Sequence, residues 1–455
     1  MDLEQLYLRL PTRLQNVVVS AQGYRIQRSR YGGAFQDQLA GYESRSSWDR
    51  ERIIEYRDRR LQAFVRHAVE TVPYYRDLFS RLNLTADDIR RLEDLEQLPV
   101  LTKQTVQQQV DRFRSEAYRG QSLQMHHTSG STGAGLQFPV TLESQHEQWG
   151  VWWRYRRWHG LHRNEWCLYF GGRSVVPLSQ RRPPYWRTNR PGRQLMFSAY
   201  HLSDQTIADY LAEMKRSGAR WIHGYPSVVT FVAEQALRLG VKLPIRWITT
   251  GAESLLPHQK QIVRRAFGVS PIEHYGMAEG VANISECPHG GLHVDEDYAA
   301  VEFLPGTSGA ARVIGTNFTT PAFPLLRYDV GDLATPSSDV CPCGRPGRLV
   351  ACIDGRQEDC VVTRSGCRLG RLDHIFKDCV RVREAQIRQN QPGHVTIWIV
   401  TAEGYGRADE EALTREIVKR VGDDLTFEIE HVDSIPRTRS GKLRFVVSNL
   451  SAEAA

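Results

Sequence analysis

This 455-residue chain contains no uninterrupted apolar run long enough to cross a bilayer as a helix, which takes about 18 residues. Met1-Asp2-Leu3-Glu4-Gln5 lacks the basic region and apolar core of a secretory signal. A cytoplasmic protein with no membrane partner is expected. Cysteine is sparse: eight residues do not make a disulfide framework at this length, and a reducing compartment disfavours one. The Asn-x-Ser/Thr matches at Asn83, Asn283 and Asn317 then read as chance. Several nucleotide and hydrolase signatures are also missing. Leu136-Gln137 stand where a Walker loop running from Gly130 needs lysine and a hydroxyl. No Gly-x-Gly-x-x-Gly opens a helix after a strand, and no Gly-x-Ser-x-Gly elbow is present.

The composition, 41% hydrophobic and 24% charged, is that of a soluble globular protein, long enough for two or more domains. The net charge of +7 suits an anionic ligand such as a nucleotide or coenzyme A. Thr128-Ser129-Gly130-Ser131-Thr132-Gly133 is the most suggestive loop. Two glycines accept the positive φ that a nest of backbone N–H groups requires, and four hydroxyls add donors for phosphate oxygens.

Residues 1–100 read as a helical lead-in. Arg52 to Val72 carries Ile53, Leu61, Phe64, Val65, Ala68 and Val72 at helical spacing and stops at Pro73. From 165 to about 330 short apolar strands alternate with helices: Trp166–Phe170, Trp221–His223, Val228–Leu239, Trp247–Thr250, Pro257–Phe267, then Ile272–Tyr275. This alternation predicts an α/β fold with a largely parallel sheet whose ligands sit at the strands' carboxyl ends. After about 355 a strand (395–400), a helix (410–421) and a strand (427–432) predict a small α+β domain. The run Trp152-Trp153-Arg154-Tyr155-Arg156-Arg157-Trp158, with Arg181-Arg182 to Arg193, interleaves bases and aromatics as nucleic-acid binders do. It is read here as a helix face and a basic loop beside an anionic ligand or partner, not as a nucleic-acid interface.

Four further segments follow the loop in a fixed order: Tyr275-Gly276-Met277-Ala278-Glu279-Gly280, Arg327-Tyr328-Asp329-Val330-Gly331-Asp332, Gly355-Arg356-Gln357-Glu358-Asp359 and Pro436-Arg437-Thr438-Arg439-Ser440-Gly441-Lys442. Together they resemble the adenylate-forming superfamily of acyl- and aryl-CoA ligases over roughly residues 50–450. Ala68–Arg76, Leu98–Lys103 and Cys341-Pro342-Cys343-Gly344-Arg345 are similar to its phenylacetate–CoA ligase and CapK-like branch. The resemblance implies a large N-terminal adenylate-forming domain of mixed sheets and helices (1–354) and a mobile C-terminal lid (355–455).

It also implies roles. Residues 128–133 would hold the ATP β- and γ-phosphates, although Ala134-Gly135 replace the lysine or proline of many relatives. Gly251, Ala252 and Glu253, with Tyr275, Gly276, Met277 and Ala278, would line the adenine. Glu279 would bind Mg²⁺, and Asp332 would accept both ribose hydroxyls. Arg356 would assist at ribose or phosphate, Glu358 would be the hinge, and Arg368 would face nucleotide or CoA. Lys442 would stabilise charge on the phosphoryl oxygens when the lid closes. His223, Gly224, Tyr225 and Pro226, with the Trp-rich stretch 149–158, would wall the acid pocket, which suits an aromatic or flat acid. Cys287, His293, Cys341 and Cys343 form a candidate structural Zn²⁺ site, with His289 as an alternative ligand. The expected reaction joins a carboxylic acid to CoA through an acyl-adenylate. An amine acceptor, or AMP transfer without CoA, is the alternative.

Overall fold

The computed structural model describes residues 3–128, 136–172, 175–252, 255, 257–305, 311–353, 361–366, 368–369, 372–376, 381–401, 404–436 and 446–450. The lead-in contains α1 (Leu3–Leu8), α2 (Thr12–Tyr31), α3 (Phe35–Arg45), α4 (Arg50–Thr71) and α5 (Pro73–Leu82). α4 buries Ile53, Leu61, Phe64, Val65 and Ala68 on one face, and Asp49 caps it by accepting from the Arg52 N–H. Pro73 ends the pattern as expected. It also opens α5, where the N–H it lacks would have had no helical partner.

After α6 (Lys103–Gln108), β1 (Gln124–His127) and β2 (Gln137–Val140) form an antiparallel pair. α7 (Leu142–Trp158) follows, its N-terminus capped by the Thr141 hydroxyl accepting from the Ser144 N–H. The predicted alternation is then realised as β3 (Cys167–Gly171), β4 (Trp186–Asn189), β5 (Gln194–Ser198), α8 (Ile207–Ser217), β6 (Trp221–Gly224), α9 (Pro226–Arg238), β7 (Trp247–Thr250) and α10 (Pro257–Phe267). The sheet order is β4-β5-β3-β6-β7, parallel apart from β4. The register Cys167–Trp221–Trp247 brings Gly224 and Thr250, which precedes Gly251, to one edge of the sheet.

The last expected strand departs from this pattern. Ile272 keeps a single parallel bridge to Thr249. β8 (His274–Gly276) then pairs with β9 (Asn283–Glu286) in a second, antiparallel sheet. That sheet continues through β10 (Leu292–Val294), β11 (Ala300–Pro305), β12 (Ala311–Thr316), β13 (Tyr328–Ser337) and β14 (Leu349–Ile353), in the order β11-β12-β13-β14-β10-β9-β8. The 272–276 segment is thus shared between two sheets because its hydrogen-bonding edges are satisfied by different partners. The C-terminal part adds β15 (Val361–Val362), β16 (Arg368–Leu369), β17 (Val382–Gln391), β18 (His394–Thr401), α11 (Arg407–Val421), β19 (Thr426–His431) and β20 (Val446–Ser448). Leu413, Ile417 and Val421 of α11 pack on Ile387, Ile397 and Ile399 of a sheet ordered β19-β18-β17-β20. Among the described residues no helix is long and apolar enough to cross a membrane.

The basic, aromatic helix α7 is interior, with Val151, Trp153, Arg154, Tyr155 and Arg156 all buried. Its Arg154 faces the buried run Asp295-Glu296-Asp297. Arg154 Nη2 donates to Asp295 Oδ1 (2.6 Å) and Nη1 to Asp297 Oδ2 (2.8 Å). Arg45 of α3 adds a bond to Asp297 Oδ2 (2.7 Å). Glu296 Oε1 accepts from Arg57 of α4 (3.1 Å) and from Arg348 (2.7 Å), and Arg50 also contacts Glu296. Burial raises the Asp297 carboxyl, but Arg154 and Arg45 outweigh it and hold it below the ordinary range. Burial likewise raises Glu296, and Arg348, Arg50 and Arg57 bring it below normal. At Asp295 burial prevails over Arg154, and the carboxyl is raised.

Arg154→Met leaves two buried carboxylates without their shared cation. Chemical denaturation should show a loss of about 3–5 kcal/mol. The depressed carboxyls contribute stability that is fully present above the unfolded pKa of about 4 and is lost as pH falls through their lower folded values. Asp295, being raised, opposes that trend. Thermal melts should therefore fall below about pH 4, and Asp297→Asn should lower the neutral-pH melting temperature while flattening the acid fall.

Candidate active site

Three glycine-bearing turns converge where the two large sheets meet. After β7, Gly251 leaves so little room that a Cβ there would lie 3.3 Å from the His274 carbonyl oxygen. Ala252 follows at φ +69°, a conformation disfavoured for alanine and held by its surroundings. Tyr275 and Gly276 lie in β8, directly opposite Ile284 and Asn283 of β9. Met277, Ala278 and Glu279 continue past the strand. The Met277 carbonyl accepts from Gln148 Nε2 (3.2 Å), and the Glu279 carbonyl accepts from Asn317 Nδ2 (3.0 Å).

The Arg327–Asp332 segment is positioned by the Leu98–Leu101 connector. Leu101 N–H donates to the Arg327 carbonyl (2.9 Å), and Asp329 N–H to the Leu101 carbonyl (2.9 Å). Arg327 adopts φ +55° and reaches the carbonyls of Glu96 and Leu98 and the Glu302 carboxylate. Asp329 Oδ1 accepts from the Gly331 N–H (2.9 Å), and Gly331 turns at φ +76°. Asp332 comes next and accepts a hydrogen bond from the Tyr275 hydroxyl at Oδ2 (2.8 Å). Two segments 57 residues apart are joined by that bond.

Thr128 closes the base of the glycine loop. Its N–H donates to the Leu136 carbonyl and its Oγ accepts from the Leu136 N–H, both at 2.9 Å. Ser129, Gly130, Ser131, Thr132 and Gly133 lie outside the described residues, as do Glu253, Arg356, Glu358 and Lys442. Arg368 is in β16.

The predicted pocket wall 223–226 spans the end of β6 and the start of α9. Trp221 Nε1 donates to the Thr249 hydroxyl (2.8 Å), which lies 2.8 Å from His223 Nδ1. The hydroxyl oxygen, which can accept twice and donate once, links the two side chains. Tyr169 stacks on His223 with ring centroids 5.5 Å apart, and Tyr155 stacks on His274 at 4.6 Å. Sequence reasoning missed Asn283. Its Oδ1 accepts from Trp152 Nε1 (2.9 Å) and faces His274 Nε2 at 3.0 Å, while its Nδ2 bonds Asp295. This residue ties the pocket to the ion network; only its burial in three dimensions signals the role.

The four candidate metal ligands come together. One donor atom from each of Cys287, His293, Cys341 and Cys343 lies within 4.8 Å of all the others. Cys287 Sγ is 3.6 Å from Cys341 Sγ, and Cys343 Sγ is 3.2 Å from His293 Nε2. A tetrahedral thiolate site has edges of about 3.8 Å, so the first pair is already at ligand spacing. His293 Nδ1 lies 3.2 Å from the Gly347 carbonyl, which aims Nε2 at the cysteines. Glycine at 291 is required, since a Cβ would lie 2.9 Å from Cys341 Sγ. His289, the alternative ligand, is exposed and outside this cluster.

Residues 361–449 match the CapK C-terminal domain family. The chain is 24% identical to Protein CapK of Staphylococcus aureus over 98% of its own length and all of that protein. It is 25% identical to a phenylacetate-coenzyme A ligase of Thermus thermophilus over 88% of this chain and 97% of that one. A crystal structure of 2-hydroxyisobutyryl-CoA ligase with 2-HIB-AMP and CoA superposes with a TM-score of 0.56 at 18% identity, covering 89% of this chain and 91% of that one. The chain is thus a homologue of CapK and of the phenylacetate–CoA ligases, built on the fold of the adenylate-forming ligases.

Proposed function

We propose that this protein is an AMP-forming ligase that activates a carboxylic acid with ATP as an acyl-adenylate and passes the acyl group to coenzyme A. The observation that carries the reading is the bond from Tyr275 to Asp332 beside the Gly251 turn. It gathers an aromatic ring, an acceptor-only carboxylate and close-approach backbone at the carboxyl end of a parallel sheet, where nucleotides bind. A relative matched along 97% of its length is named as a phenylacetate-coenzyme A ligase.

In this reading Tyr275 packs on the adenine and Asp332 accepts from the ribose diol. Residues 128–133 hold the β- and γ-phosphates with backbone and hydroxyl donors. Glu279 would hold Mg²⁺, which offsets phosphate charge when bound. The acid's carboxylate oxygen attacks the α-phosphorus, and the bond to the pyrophosphate oxygen breaks. Lys442 donates to the oxygens on which charge grows. The domain from residue 355 then turns about Glu358. The CoA thiolate attacks the acyl carbon, and AMP leaves with the bonding electron pair. Cys287, His293, Cys341 and Cys343 would hold Zn²⁺ as a closed structural site, with no open position for chemistry.

Acid-dependent ATP–pyrophosphate exchange tests the first step; no exchange with any acid overturns the reading. Adding CoA or amines then identifies the acceptor. Lys442→Ala should reduce exchange by roughly 10²-fold or more while ATP still binds; undiminished exchange removes Lys442 from the chemistry. Metal analysis of purified protein should find about one zinc per chain. Cys341→Ser should lower that content and the melting temperature together.

A further inference from the structure

The arginines of α7 are not equivalent. Arg154 is bound by Asp295 and Asp297, and Arg157 by Glu43. Arg156 is 6% exposed, yet among the described residues it has no carboxylate partner. Among the described residues its one hydrogen bond runs from Nη1 to the Trp152 carbonyl of its own helix (2.9 Å), and its Nε meets no acceptor there. The guanidinium carbon instead sits 5.2 Å from the Trp153 ring centroid, 4.9 Å from that of Tyr155 and 6.0 Å from that of Trp221. A buried cation without an anion is costly, and stacking on rings offsets only part of that cost. Tyr155, Cys167, His223 and His274, whose titration it shifts, are neutral beside it. Burial, then Arg156, pushes His223 and His274 down to about 3, and burial keeps the Cys167 thiol protonated.

The position is informative. Trp221 opens β6 and Gly224 closes it, three residues later, a rise of about 10 Å. Adenylation is expected at the Gly224 and Gly251 end. Arg156 sits against Trp221 at the start of β6, and Trp221 shares the Thr249 hydroxyl with His223 of the predicted pocket wall.

We propose that Arg156 is the anchor for a second anionic group on the acid substrate, so that the enzyme takes a dianionic acid whose two charged ends lie about 10 Å apart. One carboxylate is activated at the nucleotide, and the other fills the missing counter-charge. The reaction rests on the ligase reading; the unpaired cation does not. The far anion takes no part in bond making. It accepts from the guanidinium, and Arg156 acts as a specificity determinant.

The test measures pyrophosphate exchange by the full chain with azelate and sebacate against nonanoate and decanoate, alongside thermal shift with the same acids. The wild type should favour the diacids by at least ~30-fold in kcat/KM, through KM, and Arg156→Met should collapse that ratio. Arg156→Lys, which keeps the charge, should retain part of it. Equal or better use of the monoacids by the wild type overturns the proposal, as does an unchanged ratio in folded Arg156→Met. If Arg156→Met does not fold, the wild-type ratio and the Arg156→Lys variant decide. Exchange with no acid, but diacid stabilisation present in the wild type and lost in Arg156→Met, overturns the ligase reading and supports the anchor. Neither exchange nor stabilisation overturns both.

Discussion

The ion network around Asp295-Glu296-Asp297 is the constraint on which the large domain depends. Three consecutive acidic side chains are buried, and none would be tolerated there without cations. The cations come from α3, α4, α7 and the residue before β14: Arg45, Arg50, Arg57, Arg154 and Arg348. The lead-in helices are therefore fastened to the antiparallel sheet by charge as well as by apolar packing. Because each pair is directional, the network fixes the rotation of α7, and with it which α7 side chains face Asn283 and His274. Asn283 bonds Asp295 on one side and receives Trp152 on the other, so the same network sets the pocket's aromatic wall.

Much of the architecture was legible because local chemistry and tertiary structure agree. The strands at Cys167, Trp221 and Trp247 end at glycines whose Cβ positions are closed by neighbours, as at Gly224, where a Cβ would lie 2.9 Å from Phe170. The segment at 272–276 reads as one more strand of the parallel sheet, and only Ile272 joins that sheet, by a single bridge. An apolar run followed by glycine does not say which edge it will bond, and here the edge changes after Ile272. The cysteine and histidine set was legible as residue types, but its spacing left His289 and His293 both open. The choice is made by β10 pairing with β9 and β14, which turns His293 inward.

The run at 152–158 shows the limit of composition. Bases and aromatics in alternation read as a helix face beside an anionic ligand or partner, because buried arginines are rare. The helix is interior because separate carboxylates, distant in sequence, neutralise Arg154 and Arg157. No local pattern distinguishes the arginine that has such a partner from the one that lacks it. That distinction belongs to tertiary structure, and it is the kind that bears on ligand choice.

The hydrogen bond from Tyr275 to Asp332 has a consequence for binding. A carboxylate left facing water must shed its hydration and lose rotational freedom when a ligand arrives. Here a phenol already restrains it, so that ordering cost is met during folding. In the proposed reading a ribose at Asp332 would meet a carboxylate that the Tyr275 hydroxyl already restrains, and the nucleotide site would be shaped before the nucleotide is there.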